Sequence, residues 1–147
     1  MVDTMSTGPL PQPAVPSRIL VIDDDDQLRS FIITLLKRRG FDVTGVISGR
    51  EGKALLGRES FDLIITDLLM PDEEGLGTIR WVRARGPAQP KIIAISGGGS
   101  ERACYLQHAT MFGADATLAK PFAPPELLDL IGRLLPSAQA VPTTAAS

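Results

Sequence analysis

The sequence predicts an α/β fold: a doubly wound, five-stranded parallel sheet in the order 2-1-3-4-5, with five helices. Two observations predict it. Short β-rich apolar runs alternate with segments of helical periodicity, a pattern that implies parallel strands joined by right-handed helical crossovers. Four of these runs stop at a polar residue, while the remaining one, the second, ends in Ser48-Gly49 without a charged group. A strand with nothing chemical at its tip suits a sheet edge away from a ligand site.

The elements follow in order. Ile19-Leu20-Val21-Ile22 ends in Asp23-Asp24 and reads as the first strand. Leu28, Phe31, Ile32, Leu35 and Leu36 then fall on one helical face. Asp25 or Asp26 is placed to cap that helix, and Gly40 to end it. Phe41 to Ile47 supports the second strand, interrupted by Gly45. Ser48 caps a short helix reaching about Gly57. Leu63-Ile64-Ile65-Thr66 leads to Asp67 and then to Met70-Pro71, a buried strand that stops at a loop. Leu76, Ile79, Trp81 and Val82 argue for a helix ending at Gly86-Pro87. Ile92-Ile93-Ala94-Ile95, closed by Ser96, is the fourth strand, starting near Lys91. A helix from about Glu101 to Phe112 is closed by Gly113. Ala116-Thr117-Leu118-Ala119 leads to Lys120-Pro121, and Pro124, Pro125 and Glu126 open a last helix bearing Leu127, Leu128, Ile131, Leu134 and Leu135.

A chain of 147 residues fits one domain, here set at residues 18–136. Residues 1–17 carry Pro9, Pro11, Pro13 and Pro16 and read as a disordered or polyproline-like leader. Residues 137–147 read as a loose tail. Partner docking is the lesser reading of either segment. Apolar residues form 44% of the chain, enough for a real core. The net charge of −2 argues against a nucleic-acid surface, since such binders carry a basic stripe. Lys37-Arg38-Arg39 sits where cations complement a helix dipole. Cys104 is the only cysteine and His108 the only histidine, which excludes an intrachain disulfide and a Cys- or His-rich metal centre. No apolar run approaches the roughly 18–20 residues of a membrane span, and no secretory signal opens the chain. A cytoplasmic protein is expected.

If the strands run parallel, Asp23, Asp24, Asp67, Ser96 and Lys120 converge at one edge. Three carboxylates, a hydroxyl and an ammonium suit a divalent cation and a phosphoryl group. Asp25 and Asp26 read instead as acids complementing a helix N-terminus. Ser96 alone could be an ordinary turn serine, and Lys120 alone a surface lysine. Cys104, Tyr105, His108 and Trp81 read as packing or exposed helix residues.

Four spaced elements together carry a resemblance: Val21-Ile22-Asp23-Asp24, Thr66-Asp67-Leu68-Leu69-Met70-Pro71, Ala94-Ile95-Ser96 and Lys120-Pro121-Phe122. Over residues 18–135 the chain resembles the receiver domain of two-component response regulators, here as a single-domain form. The resemblance implies a flavodoxin-like fold and a phosphoacceptor switch. Asp67 would take a phosphoryl group from a histidine kinase or histidine phosphotransfer protein. Asp24 and Asp67 would bind Mg²⁺ directly, Asp23 through a water, and Leu69 through its backbone carbonyl. Lys120 and Ser96 would each contact a phosphoryl oxygen, and a cis Lys120-Pro121 bond is implied. Output is expected through protein–protein contacts with an unknown target, with no nucleic acid or membrane partner, because only tail follows Pro136.

The chain departs from the family at Thr117, where receivers commonly carry an aromatic residue. A threonine cannot fill or vacate an aromatic-sized pocket, so the switch is expected in the loop Gly97 to Gly99 and the helix after it. Two other readings compete. A phosphorylation-independent interaction module would be expected to have lost one of the site residues. A phosphohydrolase would need a second acid two residues after its nucleophile, where this chain has Leu69.

Overall fold

The computed structural model describes residues 16–68, 74–86, 90–97, 109–110 and 113–135. The elements are β1 (Arg18–Ile22), α1 (Asp26–Lys37), β2 (Asp42–Val46), α2 (Gly49–Leu56), β3 (Leu63–Asp67), α3 (Glu74–Arg83), β4 (Lys91–Gly97), β5 (Ala116–Lys120) and α4 (Pro124–Leu134). The sheet runs β2-β1-β3-β4-β5 with every pair parallel, so the order expected from the sequence holds. Four helices stand among the described residues rather than five. The expected helix from Glu101 to Phe112 lies mostly outside them, and its described residues Ala109 and Thr110 are helical. Of the leader only Pro16 and Ser17 are described, and the tail lies outside. Ser17 is already buried, and its carbonyl accepts the Asp42 N–H at 3.0 Å.

Side-chain alternation along the strands divides the core into two layers. Ile19, Val21, Ile65, Ile93 and Ile95 pack with Ile32 and Leu36 of α1 and with Leu127 and Ile131 of α4. Leu20, Ile22, Ile64, Ile92 and Ala94 face the other way, against Leu76, Ile79 and Val82 of α3. Both faces of the central strands are covered, which is why those strands read as unbroken apolar runs. Each such buried Ile or Leu stabilises the fold by about 1.5–3 kcal/mol relative to an exposed one.

The helix ends follow their sequence signals. Asp25 caps α1, accepting from the N–H groups of Gln27 (3.0 Å) and Leu28 (3.2 Å). Ser48 caps α2 through the Glu51 N–H at 3.2 Å. Glu126 Oε1 accepts the Ala123 N–H at 2.7 Å and closes the first turn of α4. Gly45 in β2 lets α1 pack closely, since a Cβ there would lie 2.5 Å from Ile33 Cδ1 and that side chain would have to shift.

Two arginines tie the amino edge of the sheet. Arg18 donates to the Ser60 carbonyl at 2.8 Å and to Glu59 Oε1, and lies over the Phe61 ring. Arg83 donates to the carbonyls of Gly113 (2.7 Å) and Pro90 (2.8 Å) and pairs with Asp115. Asp115 in turn accepts the Ile92 N–H at 2.8 Å, so one guanidinium joins α3 to the starts of β4 and β5.

Candidate functional site

Register places the chemistry. Ile22 pairs with Thr66 across β1 and β3, and Asp67 pairs with Ile95 across β3 and β4. Ser96 pairs with Ala119, and Gly97 with Lys120, across β4 and β5. In-register parallel strands therefore bring Asp23, Asp67, Ser96 and Lys120 to the same carboxyl edge.

Asp67 closes β3 and is 3% exposed. The Lys120 ammonium donates to its Oδ2 at 2.8 Å. Burial lowers the Lys120 pKa, but the hydrogen bond to Asp67 and the charges of Asp67, Asp23 and Asp25 outweigh it and hold the group above its usual value. The Lys120-Pro121 bond is cis.

Asp23 follows β1 and is 1% exposed. Its Oδ1 accepts the Asp25 N–H at 2.9 Å. Burial pushes its pKa up to about 6, against that hydrogen bond; repulsion from Asp67 adds to the rise and the Lys120 charge opposes it. Asp24 behaves differently and is exposed. Asp25 and Asp26 belong to the helix start, with Asp26 paired to Arg29. Arg29 was not singled out from the sequence. Its Nη1 donates to the Asp23 carbonyl at 2.8 Å and so fixes the turn that carries the acids. The only sequence signal was its position three residues after Asp26, which permits an ion pair within the helix.

Ser96 is fully buried, and its hydroxyl has no hydrogen-bond partner among the described residues. A buried hydroxyl left without a partner costs free energy, so it marks a place where a partner belongs. Thr117 pairs with Ala94 in β5 and is half-buried. Leu69, Gly98, Gly99, Cys104, Tyr105 and His108 lie outside the described residues.

Among the described residues no three carboxylate, His or Cys side chains form a ready cage for a metal ion. Mg²⁺ does not require one, because it keeps several waters and uses one or two carboxylates. Buried Asp23 and Asp67, which repel one another, and the exposed Asp24 that follows Asp23 are hard oxygen donors of the type that ion takes.

Fold and edge together define a doubly wound α/β domain with an acidic site at its carboxyl edge, where such sheets bind their ligands. The response regulator receiver domain family matches residues 19–132, and the chain belongs to that family. Two regulators are similar in sequence. The transcriptional regulatory protein GltR of Pseudomonas aeruginosa is 39% identical over 124 residues, covering 82% of this chain and 50% of that protein. The protein PetR of Rhodobacter capsulatus is 35% identical over 122 residues, covering 83% and 50%. The chain thus spans about half the length of these relatives. Among solved structures, a response regulator signal receiver domain from Bermanella marisrubri is 37% identical with a TM-score of 0.73, covering 82% of this chain and 99% of that one. A response regulator protein from Burkholderia pseudomallei, solved with a phosphorylated aspartic acid, a calcium ion and citrate, is 30% identical with a TM-score of 0.68, covering 76% and 64%. Among the described residues no helix is long and apolar enough to cross a membrane.

Proposed function

We propose that this receiver domain is a phosphoacceptor signalling switch with Asp67 as the acceptor. The observation that carries this reading is the Lys120 Nζ to Asp67 Oδ2 contact of 2.8 Å at the strand edge that also carries the buried hydroxyl of Ser96, which has no partner among the described residues. An acceptor carboxylate, a cation and a hydroxyl donor stand together before any phosphoryl group arrives. The donor is a phosphohistidine on a histidine kinase or histidine phosphotransfer protein. An Asp67 carboxylate oxygen forms the new bond to phosphorus as the phosphorus–nitrogen bond breaks, and that electron pair stays on the imidazole.

Carboxylate and phosphoryl group repel each other, so the site must supply positive charge. Lys120 provides one charge and follows a phosphoryl oxygen once it forms. Mg²⁺ supplies the rest when bound, by neutralising phosphoryl and carboxylate oxygens. Asp24 and Asp67 would hold it directly, and the family pattern adds the Leu69 carbonyl. Asp23 acts through a water, in keeping with an Oδ1 already engaged by the Asp25 N–H. Ser96 completes the oxygen shell of the phosphoryl group. Output passes through protein contacts made by the switched domain in the cytoplasm.

A phosphorylation-independent interaction module is the second reading, and the intact set of acids, hydroxyl and lysine weighs against it. The deciding experiment mixes the protein with a phosphodonor and Mg²⁺ and maps any added phosphate by mass. Label on a peptide bearing Asp67 supports the switch; no label with any donor supports the module.

A further inference from the structure

Four acids stand in a row after β1, and the structure sorts them. Asp23 is buried, with Oδ1 on the Asp25 N–H. Asp25 caps α1, and Asp24 is exposed. Asp26 is paired with Arg29. Arg29 reaches back from near the start of α1 and touches two members of the row. Its Nη1 donates to the Asp23 carbonyl at 2.8 Å, while Nη2 meets the Asp26 carboxylate. The arginine side chain is only 17% exposed. Its stem runs along β2, where a Cβ at position 45 would lie 3.3 Å from Arg29 Cγ and Cδ. A long cation laid flat and bonded to main chain has given up rotamer freedom that a surface arginine keeps.

We infer that Arg29 is a positioning residue for the metal-binding turn, acting on Asp24 through the peptide bond that joins it to Asp23. The inference rests on the Mg²⁺ site proposed above. Its first support is geometry. A peptide unit is planar, so the Asp23 carbonyl oxygen and the Asp24 Cα lie in one rigid plane. The Asp23 N–H is held by the Val46 carbonyl of β2 at 3.1 Å. With its N–H tied to β2 and its carbonyl tied to Arg29, Asp23 is fixed on both sides. Asp24 then starts from a fixed Cα, and its exposed carboxylate has only its own rotamers to lose. A ligand set in advance costs less to order when the ion binds. The guanidinium fork suits this task because its two arms reach separate acceptors at once.

The second support is that the role runs against the residue's own charge. A cation beside the acids repels a second cation, and the pairing with Asp26 offsets part of that repulsion. A positive side chain at a cation-binding turn is explained by the main-chain bond it supplies, not by the field it adds.

Charge and position therefore predict opposite outcomes. The test titrates the full chain and its Arg29→Ala and Arg29→Lys variants with Mg²⁺ alone, followed by amide NMR shifts. By charge alone, Arg29→Ala binds Mg²⁺ more tightly and Arg29→Lys binds it as before. As a positioning residue, its loss should weaken Mg²⁺ binding roughly tenfold in Arg29→Ala, the lower end of the effect of removing a group that orients a metal ligand. Arg29→Lys, which keeps the charge but not the fork, should weaken it by a smaller factor. In the metal-free proteins the Asp25 N–H should exchange faster in both variants. A purely structural role would lower the urea midpoint and leave the Mg²⁺ affinity of the folded protein unchanged. Affinity at or above that of the unsubstituted chain in either variant would overturn the inference, and the lysine variant decides alone if the alanine variant does not fold. An unsubstituted chain that binds no Mg²⁺ would overturn the proposed metal site as well, which separates the two failures.

Discussion

The Lys120 ammonium donates to Asp67 at 2.8 Å although 53 residues separate them in sequence. The pair joins the tip of a central strand to the tip of an edge strand. On the reading proposed above, the acceptor carboxylate is thus held in advance by the cation that would later accompany the product. Four predictions rest on this arrangement.

Asp67→Asn should abolish phosphorylation while the fold persists, because the two side chains share a shape. The measurement is intact-protein mass after incubation with phosphodonor and Mg²⁺. Label at the unsubstituted level in the variant would remove Asp67 as the acceptor.

Asp23 gives a stability prediction with a definite sign. Its pKa stands at about 6 in the fold against an ordinary 3.8, so the folded state holds a proton that the unfolded state has released. Stability from this group is therefore present at low pH and falls as pH rises between about 4 and 6. A shift of this size corresponds to roughly 3 kcal/mol at most. Asp23→Asn should stabilise the metal-free protein, with the gain growing from pH 4 to pH 6 and then levelling. Urea unfolding of both proteins across that range checks it. A gain that is constant with pH, or a loss, contradicts the assignment. The same variant should bind Mg²⁺ more weakly.

Ser96→Ala separates the resting from the phosphorylated protein. Removing a buried hydroxyl that has no partner among the described residues should be neutral or stabilising by about 1 kcal/mol in the resting protein. The phosphorylated protein should lose a hydrogen bond and its preference for the active state. Chemical denaturation of each form, with and without a stable phosphoryl mimic, reads both effects. A variant destabilised at rest would mean that Ser96 already has a partner.

Lys120→Ala should still accept some phosphoryl group but no longer couple it to target binding. Lys120→Arg should not restore the coupling, since a planar fork replaces a compact charge. Phosphorylation-dependent binding that survives in the alanine variant would assign the coupling to another group.

The central strands were legible because each is a continuous apolar run, β2 less so because Thr44 and Gly45 interrupt it, and the edge place of β2 because its run ends without a charged group. The cap at Ser48 was legible because capping is local chemistry, while that of α1 was narrowed only to Asp25 or Asp26, of which the structure uses Asp25. The unequal settings of Asp23 and Asp24 were not. They are neighbours of one type, and only the turn after β1 decides that one is buried while the other faces water. Nor were the roles of Arg18 and Arg83 legible. Their partners Ser60 and Gly113 lie 42 and 30 residues away, and no periodicity links such positions. Trp81 was read as a packing residue, and it does pack against the core, but its place beneath Arg85 required the structure.

Gly113 has a φ of 119°, and a Cβ added there would stand 2.5 Å from Arg83 Cγ. The arginine that joins three elements therefore runs across space that any other residue at 113 would fill. The dependence runs one way. The arginine at 83 can be lost while the glycine stays, but a side chain at 113 would displace that arginine, and with it the link to Asp115, and would still bear the strain of the φ. Wherever arginine stands at 83 in descendants of this chain, glycine should stand at 113.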